Sequence, residues 1–201
     1  MVLQPLGGVI GELVAAGLSA EGIPAVTVPV KSCTRICSTL LCETAGTATE
    51  VIEPAAPLAP QECDRLFDAL KKHLSDYQGL AICGTYPPGI TPEFYCEAVR
   101  LARGQGIPVL LDAFREMREV LSQGLAFLKI NREELSELSG CQMLTPECMR
   151  EFREAYGIAV LAVTDGAGDA LLSSPDGTFR LSVPKLDSCR NPIGAGDTCG
   201  A

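Results

Sequence analysis

At 201 residues the chain is long enough for one well-buried domain, or one domain plus a small appendage, and its 47% hydrophobic and 20% charged content is that of an ordinary globule. Its formal net charge of −9, with no Lys/Arg cluster, argues against nucleic acid or an anionic membrane surface as a partner. Ten cysteines without a Cys-x-x-Cys pair and a single histidine, His73, make a poor zinc inventory.

No basic segment follows Met1, Glu12 interrupts the first apolar run, and no stretch reaches membrane-spanning length. The expectation is a cytoplasmic protein with reduced thiols, its cysteines serving as small core residues.

Residues 7–30 read as glycine turn, helix, turn and strand. Gly7, Gly8 and Gly11 precede an apolar helix, Gly22-Ile23-Pro24 breaks it, and residues 25–30 form a strand. The Gly-Gly-x-x-Gly spacing suggests a dinucleotide loop, but no strand is predicted ahead of it, so close helix–strand packing is preferred. Residues 34–41 and 47–53 alternate and are rich in Thr and Val, which predicts a hairpin partly exposed on one face. Arg35, near Lys31, is either a solvated side chain on that hairpin or a fork for a substrate phosphate.

The proline-rich residues 54–60 mark an internal boundary. Residues 61–74 follow as an amphipathic helix with Pro60 at its start and an apolar stripe through Leu66, Phe67, Leu70 and Leu74. Strand and helix then alternate. Strand 80–83 leads to the loop Gly84-Thr85-Tyr86-Pro87-Pro88-Gly89. Thr91-Pro92-Glu93 opens a helix that stops at Gly104. Strand 107–112 ends on Asp112, and strand 127–130 runs into a helix opened by Asn131-Arg132-Glu133-Glu134. Another helix starts at Thr145-Pro146-Glu147, strand 158–164 ends on Thr164, and residues 170–174 and 178–183 form a terminal hairpin. Short apolar strands between capped helices predict an α/β fold with a mostly parallel sheet. In such sheets ligands bind beyond the carboxyl ends of the strands, where Thr85, Asp112, Asn131, Thr164 and Asp197 fall.

The last stretch, Gly194-Ala195-Gly196-Asp197, carries the sharpest chemistry. Small residues let consecutive N–H groups face one point, an anion site, with a carboxylate next to it to accept a proton from an attacking hydroxyl. The plain reading is a tight turn ending in a helix-capping Asp. Similarly, Asn131-x-x-Glu134 is a helix capping box as well as a candidate metal-linked pair.

The order Thr34-Arg35, Gly84 to Gly89, Asp112, Lys129-Ile130-Asn131-Arg132-Glu133-Glu134, Thr164-Asp165-Gly166 and Asn191 to Thr198 resembles the PfkB (ribokinase-like) carbohydrate kinases, in the branch of 1-phosphofructokinase and tagatose-6-phosphate kinase. The resemblance implies a ribokinase-like three-layer sandwich with a small β-hairpin lid. Residues 25–53 would hold the lid strands and 61–201 the nucleotide-binding core. It implies ATP and Mg2+ as cofactors and a ketohexose phosphate, fructose 1-phosphate or tagatose 6-phosphate, as substrate. Asp197 would be the base, and Gly194, Ala195 and Gly196 the anion hole. Asn131 and Glu134 would order magnesium through water, Thr164 and Gly166 would line the nucleotide site, and Lys129 would stand near the phosphates. Arg35 and Thr85, with Lys31, would hold the phosphate already on the sugar.

The chain departs from the family's pattern in four ways. Ile130 stands where the family has proline, and Gly168-Asp169 stands where a second glycine is usual, putting a carboxylate where ATP phosphates are expected. The family's N-terminal sugar-binding aspartate has no counterpart, and the helix expected after Asp197 stops at Ala201, so the chain as written is expected to transfer phosphate poorly. Two rivals remain: a kinase of an unphosphorylated sugar or nucleoside, and a non-catalytic chain that pairs with a partner, the hairpin being the candidate homodimer surface.

Overall fold

A computed structural model describes residues 1–42, 44–113, 116–141 and 143–184, together with Gly194, Gly196 and Thr198. The chain divides into two compact units: Met1–Ser75 with Tyr86–Thr91, and Asp76–Thr85 with Pro92–Ala201.

The first unit opens with a strand that the sequence did not announce. β1 (Val2–Leu6) pairs in parallel with β2 (Ala25–Pro29), and α1 (Gly8–Ala20) connects them. The glycine turn therefore does follow a strand, yet its glycines serve packing, as expected. A Cβ at Gly7 would stand 2.1 Å from the Ser32 carbonyl oxygen, and one at Gly11 would stand 3.1 Å from the Thr34 hydroxyl. Val2-Leu3-Gln4-Pro5-Leu6 carries little strand signal because it lacks clean alternation and contains a proline, which only a strand end or edge tolerates.

α2 (Pro60–His73) packs on β1 and β2, burying Leu66, and its last turn carries Lys71, Lys72 and His73, where cations complement the helix dipole. The Glu62 carboxylate begins this helix: it accepts the Ala59 N–H at 2.8 Å and the Lys31 N–H at 2.8 Å. Those two donors hold its carboxyl below the usual carboxylate range.

β3 (Cys37–Cys42) and β4 (Thr47–Ile52) form the expected antiparallel hairpin, as a sheet of their own. Its first strand starts at Cys37 and not at residue 34, because Thr34 is tied to the glycine turn. Thr34 N–H donates to the Gly7 carbonyl at 2.9 Å, and Gly7 N–H donates to the Thr34 hydroxyl at 3.1 Å. Nor is exposure confined to one face: every residue of β4 is exposed, and so are Leu40 and Leu41 of β3.

The second unit is built on one six-stranded sheet ordered β10-β9-β8-β7-β6-β5. β5 (Leu80–Cys83), β6 (Val109–Asp112), β7 (Phe127–Asn131) and β8 (Val160–Thr164) run parallel. β9 (Ala170–Ser174) turns antiparallel to β8, and β10 (Gly177–Leu181) completes the predicted hairpin. The connections carry α3 (Pro92–Gly104), α4 (Arg118–Leu121), α5 (Arg132–Ser139) and α6 (Pro146–Ala155). The four-residue α4 is too short to leave a periodic signature. Leu111, Leu128, Leu161 and Val163 are wholly buried and anchor this core.

Because four strands share one direction, their carboxyl ends share one edge of the sheet. Register pairs Cys83 with Asp112 and Asn131 with Thr164. No helix among the described residues is long and apolar enough to cross a membrane.

Candidate active site

The carboxyl-terminal edge of β5–β8 gathers most of the polar residues singled out in the second unit. Register sets Leu111 beside Leu128, so one step further Asp112 comes beside Lys129. The two form a largely buried ion pair: Lys129 Nζ donates to Asp112 Oδ1 at 3.1 Å and to Oδ2 at 2.9 Å, with side chains 9% and 19% exposed. A lysine so enclosed needs a partner, because an unpaired buried ammonium is costly.

Gly196 lies against this pair. A Cβ built there would stand 3.4 Å from Lys129 Nζ, so the glycine lets the chain pass close to the ammonium. Gly194 has a φ of +79°, a conformation suited to glycine, and its carbonyl accepts the Thr198 N–H at 2.9 Å and the Thr198 hydroxyl at 2.8 Å. These bonds close a turn of the kind that opens a helix. Ala195 and Asp197 lie outside the described residues.

At the end of β7 the capping box is present. Asn131 Oδ1 accepts the Glu134 N–H at 2.9 Å, and Glu134 Oε2 accepts the Asn131 N–H at 2.8 Å. Each carbonyl-type oxygen has a second lone pair, and Glu134 has a second carboxylate oxygen. Capping therefore leaves hard oxygen donors that suit Mg2+ or its waters, and the residues fit the metal that the motif implies.

Thr164 sits opposite Asn131 in the sheet, and Gly166 follows with a φ of +55°. The turn after it is tied by the Gly168 N–H to the Asp165 carbonyl at 2.7 Å. Asp165 Oδ2 takes Arg132 Nη1 at 3.2 Å, and Asp169 Oδ2 pairs with Arg180 Nη1 at 3.5 Å. The carboxylate that looked troublesome in the sequence is thus engaged by a guanidinium of β10. These two pairs, with Met143, Leu144 and Leu171, line a cleft of about 280 Å3. Thr85 is exposed just past β5, after Gly84, whose N–H donates to the Asp112 carbonyl at 3.0 Å.

Lys31 and Arg35 belong to the first unit. Arg35 precedes β3 instead of lying on it, and its Nη1 donates to the Glu53 carbonyl at 3.4 Å. Lys31 is exposed and lines a cleft of about 540 Å3 together with Gln61, Glu62 and Arg65. Sequence reasoning placed Asp112 among the residues at the ligand-binding strand ends but assigned it no role. The available signal was its position closing an apolar run beside a strand that carries a lysine where apolar residues prevail.

The model of the pfkB family of carbohydrate kinases matches residues 3–201. Among solved structures, the tetrameric inhibited form of phosphofructokinase-2 from Escherichia coli superposes with a TM-score of 0.84 at 26% identity, covering 96% of this chain and 65% of that one. The same enzyme in complex with fructose-6-phosphate gives 0.83 at 25% identity, covering 96% and 65%. A Thermotoga maritima protein described as a possible 1-phosphofructokinase gives 0.79 at 20% identity, covering 91% and 60%, a likeness of fold alone. The chain thus spans 60–65% of the length of these three structures.

Proposed function

Because the chain belongs to the pfkB family of carbohydrate kinases, we propose that it serves transfer of the γ-phosphoryl group of ATP to a hydroxyl of a ketohexose phosphate, fructose 1-phosphate or tagatose 6-phosphate. The observation that carries this reading is the meeting, at one sheet edge, of a buried ammonium, a glycine turn and an oxygen-rich helix cap: Lys129, Gly196 and Asn131–Glu134. Phosphoryl transfer needs donors for the charge on the transferring oxygens, and those three elements are suited to supply or organise them.

In this mechanism the sugar hydroxyl attacks the γ-phosphorus in line with the leaving ADP oxygen. Asp197 accepts the hydroxyl proton, an effect worth roughly 10²–10⁴-fold. The N–H groups of Gly194, Ala195 and Gly196 donate to the equatorial oxygens, and Lys129 adds a positive charge beside them. Thr164 and Gly166 border the nucleotide. Bound Mg2+ would neutralise phosphate charge, held through water by Asn131 and Glu134. Lys31, Arg35 and Thr85 hold the phosphate already on the sugar, and a guanidinium fork fits such a group. ATP and reduced thiols both point to the cytoplasm as the place of action. The exposed apolar residues Leu40, Leu41, Val51 and Ile52 of the hairpin support reading it as the surface for pairing with a second copy.

The test is release of ADP, by a protein that carries this chain and spans the length of the solved neighbours, with a panel of acceptors: fructose 1-phosphate, tagatose 6-phosphate, fructose 6-phosphate, and the unphosphorylated sugars and a nucleoside. Fructose 6-phosphate joins the panel because the Escherichia coli neighbour was solved with it. Turnover confined to ketohexose phosphates, lost in Asp197→Asn with ATP binding retained, is the expected result. Turnover only with unphosphorylated acceptors would overturn the substrate class, and undiminished activity in Asp197→Asn would overturn the base.

A further inference from the structure

We propose that Asp112 is a positioning residue for phosphoryl transfer, acting through Lys129; the inference rests on the kinase reading above. Asp112 closes β6, Lys129 lies on neighbouring β7, and the two are brought level by the parallel register of their strands. An ammonium has three N–H bonds. Among the described residues, Lys129 Nζ donates to the two oxygens of Asp112, at 3.1 and 2.9 Å. The two oxygens lie to one side of Nζ, so the carboxylate anchors the ammonium there and leaves its other N–H bonds for a further acceptor. The Gly196 backbone passes close by, near enough that a Cβ there would touch Nζ at 3.4 Å.

The flexible stem of a lysine carries rotamer entropy, and a lysine left to itself would have to be ordered at each binding event. Asp112 removes that cost in advance and keeps the ammonium at the glycine turn. A pair that existed only to hold the fold would lie equally well anywhere in the core. This one sits at the carboxyl ends of the strands, one register step from the wholly buried Leu111–Leu128 pairing. Replacing a buried pair by apolar groups is commonly neutral or stabilising, so stability alone gives no reason for charges here.

Three variants of the full chain test this: Asp112→Asn, Asp112→Glu, and Asp112→Asn combined with Lys129→Met. Each is measured for thermal midpoint, for ATP affinity by calorimetric titration, and for KM and kcat. Asp112→Asn is expected to weaken ATP binding about tenfold or more, with the KM for the sugar phosphate moved far less. Asp112→Glu restores the charge and the thermal midpoint, but it shifts the ammonium by a methylene and leaves the ATP defect largely in place. The double variant regains stability without regaining ATP affinity. Wild-type ATP affinity in Asp112→Asn, or recovery of affinity along with stability in the double variant, would reduce the pair to a structural one. Failure of the wild-type chain to bind ATP at all would sink the kinase reading, and this inference with it.

Discussion

Arg35 shows how one residue's meaning depends on the backbone that presents it. Outside the hairpin strand, it keeps its guanidinium near the Glu53 carbonyl, and the same carboxylate-bearing residue takes the Ile36 N–H on Glu53 Oε2 at 2.8 Å. Glu53 therefore braces the segment from which Arg35 projects. If Arg35 grips a sugar phosphate, Arg35→Ala raises the KM for the sugar phosphate about tenfold or more and leaves that for ATP within about twofold. Steady-state kinetics with each substrate varied in turn reads the split. Equal losses for both would mark Arg35 as a brace of the hairpin and nothing more.

The helix caps show how much local chemistry fixes an element. α5 begins where β7 ends because Asn131 and Glu134 satisfy each other's backbone donors, and it stops at Gly140, whose φ of +73° is left-handed. α6 begins on Thr145, whose hydroxyl accepts the Cys148 N–H at 3.2 Å, with Pro146 in the first position. Asn131→Ala should lower unfolding free energy by about 1 kcal/mol, whereas Asn131→Asp keeps the cap and most of the stability. Urea denaturation measures both. An alanine variant as stable as wild type would show that α5 is held by its packing on β7 and β8 instead of by its cap. If Asn131 also helps to hold magnesium, activity lost in the aspartate variant at unchanged stability reports that role apart from the structural one.

Across the molecule, two groups with shifted pKa draw stability in opposite directions of pH, one in each unit. Glu62 is ionised more readily folded than unfolded, because the Ala59 and Lys31 N–H groups stabilise its carboxylate. Its contribution is present at neutral pH, above the ordinary value of 4.5, and is lost as pH falls through the lowered one. Cys148 behaves in the opposite sense: burial, then a hydrogen bond with Cys141, pushes its thiol up to about 11 from 9.0. The unfolded chain gives up this proton first, so stability falls as pH rises from 9 towards 11. Hydrogen exchange followed by peptide should therefore show protection around α2 fading first in acid and protection around α6 fading first in alkali. In Glu62→Gln the acid limb should flatten. The same order of fading in both limbs would argue that other groups control them.

Much of this protein is set by neighbours in sequence. The β–α alternation, the caps at Asn131 and Thr145, the stop at Gly104 and the hairpin around Gly177 all come from interactions a few residues long, which propensity and periodicity report directly. The glycine-rich motif and its following aspartate likewise show themselves as a string, and with the other motifs they were enough to point to the family. What remained hidden depends on distance in the chain. Lys129 and Asp112 are 17 residues apart, and only parallel register and the dryness of the core make them partners. Glu62 finds the Lys31 N–H across 31 residues, and Thr34 leaves the hairpin for a glycine turn 27 residues away. Such pairings are selected by burial, which makes an unpaired polar group expensive, and burial is a property of the assembled fold and of no single stretch of it.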